Sequence, residues 1–197
     1  MTRLIIFSLI WILFASCSGK EKKEVYNPKA IELNNKAIGL MKRFRNDSAL
    51  VLFDQAIDMD KTYYLPHSNK AVIFVSKKEY DKALMESEKV IQLKPDLAEG
   101  WTYAGMLNEK QGNIETAMKY YKKSIELFDE RISNPEKKDR IMANKLSRAF
   151  SFILLGQEEK GKEEMRKLKA EKPDELIIDE FLKVNKQDYM NQMFNNE

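Results

Sequence analysis

Apolar and small residues recur along this chain at two spacings, one nested inside the other. Over residues 98–127 they fall at Trp101, Ala104, Gly105 and Leu107, then at Ala117, Met118, Tyr121, Ile125 and Leu127. These are i, i+3, i+4 intervals, which give a helix one apolar face. Between the two runs stands Gln111-Gly112-Asn113, where a glycine can take the left-handed conformation that ends a helix and Asn113 can cap the next. The pattern predicts two helices folded back on each other, with Gly105 on the first and Ala117 on the second. Small residues there let two backbones approach closely, while Trp101 and Tyr121 fill the wedges on either side.

The longer spacing is 34 residues. It relates Ala37, Ala71 and Gly105; Ala49, Ala83 and Ala117; Ile57, Ile91 and Ile125; and Met59, Leu93 and Leu127. Four independent columns at one interval define a repeated two-helix unit, over 30–63, 64–97 and 98–131. A fourth unit, about 142–175, follows an insertion at 132–141: Ala149, Gly156, Gly161 and Pro173 each stand 44 residues after Gly105, Gly112, Ala117 and Asp129. It is degenerate, because Lys169 occupies the isoleucine column. All five prolines fall outside the predicted helix interiors. Asn134 and Pro135 predict the cap and first residue of a lengthened helix running to about Leu155. Residues 176–197 partly follow helical spacing and predict one terminal helix that covers the last exposed face of the array.

A unit of 34 residues is the length of a tetratricopeptide repeat, and the residues themselves resemble that family. Residues 98–131 do so through Trp101, Gly105, Ala117, Tyr121 and Ser124. Residues 64–97 do so through Ala71, Phe74, Tyr80, Ala83 and Pro95, with His67 in place of the first large residue. Residues 30–63 match through Ala37, Leu40, Ala49, Phe53 and Ala56, with Phe44 at the usual turn glycine. The resemblance covers about 145 of 197 residues. It implies an all-α fold: a right-handed superhelical array of antiparallel helix hairpins, three clear repeats plus one degenerate, with a C-terminal capping helix. In the family, the first helix of each unit lines a concave groove. Its ligand-facing positions map to Ile31, Asn34, Ile38 and Met41, to Leu65, Ser68, Val72 and Val75, and to Glu99, Thr102, Met106 and Glu109. The stripe Ile38, Val72, Met106 suits an amphipathic helix or an extended peptide with apolar anchors. One family subgroup clamps the terminal carboxylates of chaperone tails with Lys, Arg and Asn. This chain keeps Asn69 of that set but has Glu99 and Tyr103 where the cations would stand, and a carboxylate there repels such a ligand. The bland reading of the same residues is packing between neighbouring helices, or beneath the terminal helix.

The first sixteen residues read as a signal peptide: Arg3, then an apolar run from Leu4 to Ala15, then small residues. That run is shorter than the ~20 residues a spanning helix needs. Cys17 is the only cysteine, and "FASC" resembles the bacterial lipoprotein signal, with Phe14 departing from the usual aliphatic residue. The resemblance implies lipidation at Cys17, a flexible tether over 17–29, and a lipid-anchored place in the bacterial cell envelope. Ser18 lacks the aspartate of inner-membrane retention, so the outer membrane is preferred. The competing reading is an ordinary secretory signal with an incidental cysteine.

Charge and chemistry narrow the function. The 34 basic and 31 acidic residues are interspersed and leave no basic stripe, which argues against nucleic acid. There is no paired metal-ligand spacing, phosphate loop or nucleophile elbow. The single histidine, His67, sits in a packing column, and Glu158-Glu159 and Glu163-Glu164 read as a solvated helix face. The expectation is therefore no enzyme, cofactor or metal, and a protein or peptide partner. The alternative is an assembly accessory that uses its convex face or C-terminal helix, with no groove ligand.

Overall fold

The computed structural model describes residues 25–134 and 140–195, so Cys17 and the signal segment lie outside the described residues. Among those residues every regular element is a helix. The chain divides between Asp96 and Leu97 into two compact units.

The N-terminal unit holds α1 (Pro28–Met41), α2 (Asn46–Met59), α3 (Tyr64–Ser76) and α4 (Tyr80–Leu93). Asn27 caps α1 by accepting a hydrogen bond from the Lys29 amide at 2.9 Å, and Pro28 follows where its missing N–H costs nothing. Helices α1 and α2 run antiparallel. Ala37 meets Ala49 and Phe53 at mid-helix, and Ala30 near the start of α1 meets Ala56 near the end of α2. Ile73 of α3 joins the first cluster, and Tyr63, its ring tilted 37° against Tyr26 at 4.5 Å, closes the second.

The C-terminal unit holds α5 (Ala98–Lys110), α6 (Ile114–Ser133), α7 (Ile141–Leu154), α8 (Glu158–Glu171), α9 (Leu176–Leu182) and α10 (Lys186–Asn195). A Cβ added to Gly105 would stand 2.6 Å from the Tyr121 ring and 3.4 Å from the Ala117 carbonyl oxygen. In the next hairpin the glycine moves to the second helix. A Cβ on Gly161 would strike the Ala149 carbonyl oxygen and come within 2.7 Å of Ile153 Cγ1. Both hairpins thus hinge on a contact that excludes one methyl group.

Turn chemistry repeats as well. Phe44, Lys78, Gly112 and Gly156 hold one column and all have positive φ, at 58°, 60°, 82° and 88°. Each follows a helix whose late carbonyl is taken by the next amide along, as with Arg45 N to Leu40 O at 3.0 Å and Asn113 N to Asn108 O at 2.9 Å. Phe44 is 92% exposed, so its ring returns no packing for the strained backbone.

Three expectations need correcting. Asn113 holds the N-cap position of α6, but its side chain donates to Asn108 Oδ1 instead of capping the helix. Asn134 is the C-terminal cap of α6, its amide bonding the Arg131 carbonyl, and α7 begins at Ile141 after Arg140; Pro135 lies outside the described residues. The lengthened helix therefore precedes the insertion, because Leu127 and Phe128 stay buried against Ala98 and no breaker intervenes before Pro135. The terminal segment is two helices, not one. The chain breaks after Leu182, and Asn185 caps α10 by accepting from the amides of Gln187 and Asp188 at 2.8 and 3.3 Å. Helix α9 also explains Lys169, whose Nζ lies 2.7 Å from Asp179.

Gly161→Ala is expected to lower stability by about 1–3 kcal/mol through overpacking against backbone. Phe44→Gly is expected to raise it by about 1 kcal/mol by relieving the left-handed strain. Urea midpoints measure both. Unchanged values would refute the hairpin contact and the turn strain respectively.

Candidate functional site

In the N-terminal unit, the first helices α1 and α3 carry eight of the twelve mapped groove positions. Ile31 is exposed, and Ile38, Met41, Leu65 and Val72 are half-buried. Asn34, Ser68 and Val75 are buried. Ile38 and Met41 pack partly on the Ala37 cluster and Leu65 on the Ala30 cluster, so these side chains serve the core while keeping surface. Asn69 Nδ2 donates to Asn34 Oδ1 at 3.0 Å, tying α3 to α1 in the middle of this apolar strip.

Beside the strip lies the unit's main buried ion network. Glu86 Oε2 is 2.6 Å from His67 Nδ1, Glu86 Oε1 is 2.6 Å from Lys70 Nζ, and Lys70 reaches Asp54 at 2.7 Å. His67 is thus a structural partner of a carboxylate. Burial pushes the Glu86 carboxyl up, but hydrogen bonds from His67 and Lys70, with the charge of Lys70, outweigh it and hold the group below its ordinary value.

The C-terminal unit departs from the expected groove. Thr102 is buried where α5, α6 and α7 meet. Its Oγ1 lies 2.6 Å from Ser124 Oγ and 3.3 Å from Ser151 Oγ, and those two are 3.1 Å apart. Three small hydroxyls satisfy one another where larger side chains would force the helices apart. Met106 is fully buried on α5, a helix that α10 contacts. Neither residue is available to a separate partner in this arrangement.

Helix α10 presents Tyr189, Met190, Met193 and Phe194, all buried. The Tyr189 ring meets Phe150 of α7 edge-on at 4.7 Å, and Lys110 of α5 stands 6.0 Å over the Phe194 ring. Lys186 fixes the start of α10: its Nζ pairs with Glu109 at 2.7 Å and donates to the Leu154 carbonyl at 2.6 Å. In sequence, Phe150 continues the column of Ile38, Val72 and Met106.

The carboxylates of this face are not free charges. Arg131 Nη1 donates to both Glu99 oxygens at 2.9 Å, and Tyr121 Oη donates to Glu109 at 2.8 Å. Burial first, and then the Glu109 charge, raise the Tyr121 phenol well above its ordinary range, so it remains a donor. On α8, Glu158 and Glu163 pair with Lys162 and Lys167, and Glu164 with Arg148, which makes these acids ion-pair partners. Among the described residues no cluster of His, Cys, Asp and Glu is placed to hold a metal, and no helix is long and apolar enough to cross a membrane.

The residues missed in the sequence are those of α10. Their i, i+1, i+4, i+5 pattern marks an amphipathic helix, but nothing in it says which face receives it.

Residues 98–130, spanning α5 and most of α6, match the family model for the tetratricopeptide repeat. The heat shock protein sti1 homolog of Schizosaccharomyces pombe is 30% identical over 96 residues, 49% of this chain and 16% of that protein. Small glutamine-rich tetratricopeptide repeat-containing protein 2 of Saccharomyces cerevisiae is 29% identical over 97 residues, 49% of this chain and 28% of that protein. The matched segment thus spans less than a third of either relative. A crystal structure of a tetratricopeptide repeat protein from Parabacteroides merdae superposes with a TM-score of 0.56 at 20% identity, covering 96% of this chain and 67% of that one. The shared feature is the fold, an array of tetratricopeptide-type helix hairpins.

Glu86→Gln is expected to destabilise the protein at neutral pH by removing the charge that His67 and Lys70 surround. Because the folded carboxyl sits below 4.5, this contribution is present above that value and is lost as pH falls through the lower folded one. The stability gap between parent and variant should therefore close in acid. Urea titrations across pH check it, and a gap independent of pH would assign the effect to packing alone.

Proposed function

We propose that this tetratricopeptide-repeat chain is a lipid-anchored protein-interaction scaffold of the bacterial cell envelope, with the outer membrane preferred. Its α1/α3 face binds an apolar or amphipathic peptide segment of a partner protein. The observation that carries the reading is the strip on that face: Ile31, Ile38, Met41, Leu65 and Val72 retain solvent-facing surface on two adjacent helices that Asn34 and Asn69 lock together. Such a strip offers apolar anchor points, while the amide pair at its centre offers hydrogen bonds for orientation. The tetratricopeptide relatives support a binding role over catalysis.

An acidic chaperone tail is not the ligand proposed. At the positions where the chaperone-binding subgroup places cations, this chain has Glu99, sealed against Arg131, and Tyr103, and both are buried. The anchoring part rests on the sequence before Val25: an apolar run too short to span, followed by small residues and Cys17.

Two experiments test the parts separately. A photo-crosslinking residue at Val72 is expected to capture a partner that one at exposed Gln92 of α4 does not, and Ile38→Glu is expected to abolish the adduct with helicity unchanged. An adduct that survives Ile38→Glu, or that forms equally from position 92, removes the α1/α3 face from consideration. Cys17→Ser is expected to move the protein from the carbonate-washed membrane fraction to the soluble one. Persistence in the membrane would falsify the lipid anchor while leaving the binding face untouched.

A further inference from the structure

We infer that the α5/α7 face is a second helix-binding surface and that α10 is its exchangeable occupant. A partner protein would supply an amphipathic helix with aromatic and methionine anchors in the pattern of Tyr189, Met190, Met193 and Phe194. The surface lies within the C-terminal unit, and its test does not involve the α1/α3 face.

The chemistry of the occupant is visible because the chain fills the site itself. Helix α10 buries Tyr189, Met190, Met193 and Phe194, with Tyr189 against Phe150 of α7 and Phe194 under Lys110 of α5. Lys186, one turn before the first anchor, engages Glu109 and the Leu154 carbonyl. That arrangement is helix-in-groove recognition carried out within one chain: anchors at successive turns fill the groove, and a terminal cation fixes register.

Five features make this occupant exchangeable instead of integral. At ten residues, α10 is shorter than the ~12–15 an isolated helix needs, so it is ordered only by what it lies on. It is joined to α9 only through the short non-helical link 183–185. The Tyr189 hydroxyl is buried without a hydrogen-bond partner among the described residues, which offsets part of what burying the ring gains. The hairpins beneath close independently of α10: the Gly105 and Gly161 contacts and the three-hydroxyl cluster all lie between α5, α6, α7 and α8. The latch to Glu109 is partly solvent-exposed at both ends and is weakened by salt. A competing helix with phenylalanine at the Tyr189 position would make the same contacts without the unpaired hydroxyl.

The test uses the full chain and, as probe, a fluorescently labelled synthetic peptide of residues 184–197. Met193→Glu with Phe194→Glu is expected to eject α10 and open the face. The peptide should then bind this variant at least about tenfold more tightly than the parent, whose face is already filled. Adding Glu109→Gln should weaken that binding and reduce its salt dependence. Equal binding to parent and variant, or none to either, overturns the proposal, as does a parent that is dimeric by light scattering, which would mean exchange of α10 between copies. Hydrogen exchange on the unmodified chain gives a reading independent of the variant's folding. Amides of 189–194 should exchange at least about tenfold faster than those of 144–154, and equal protection would make α10 an integral cap.

Discussion

Two helix backbones can touch only where the side chains at their crossing are small, and in each C-terminal hairpin that contact leaves no room for one more carbon. Gly105 lies under the Tyr121 ring and beside the Ala117 carbonyl, and Gly161 lies against the Ala149 carbonyl and Ile153. The glycine changes helix between the two hairpins, and its tightest neighbour changes with it: the Tyr121 ring for Gly105, the Ala149 carbonyl oxygen for Gly161. Around these contacts the large side chains Tyr121, Phe128, Phe150 and Ile153 are fully buried.

Several of the polar groups buried in this core are held in closed sets. Thr102, Ser124 and Ser151 satisfy one another, Glu99 faces Arg131, and in the N-terminal unit Glu86 is held between His67 and Lys70. An unpaired member of any of these would carry the full cost of desolvation. The Glu99 pair also has a consequence for length. Arg131 sits beyond the usual end of the second helix, and reaching back to Glu99 gives the extra turns of α6 something to hold. Lys169 follows the same logic, standing in an apolar column because Asp179 of α9 meets it there.

One sequence column meets two fates. Ile38 and Val72 keep part of their surface in the N-terminal unit, whereas Met106 and Phe150 are buried in the C-terminal one. All four side chains are large and apolar, and for Phe150 the covering element is the terminal helix, through Tyr189. Exposure of a groove residue is therefore a property of what else the chain can place on it.

The sequence by itself determined the helices, their pairing into hairpins and the turn column. All three follow from local rules: the 3.6-residue period, small residues at the crossing, and a left-handed residue after the helix end. It also marked Ile38, Val72 and Met106 as one column, since a column is a matter of period. Only the tertiary structure decided which members of that column stay open. It turned Thr102 inward to a hydroxyl cluster, reassigned Asn134 from the start of one helix to the end of another, split the terminal segment at Asn185, and laid α10 over α5 and α7. Each of these depends on contacts between residues distant in the chain, such as Lys186 with Glu109 and Tyr189 with Phe150. An amphipathic stripe encodes that it must be covered. Its partner is chosen by shape and charge complementarity, which exists only once the hairpins have folded.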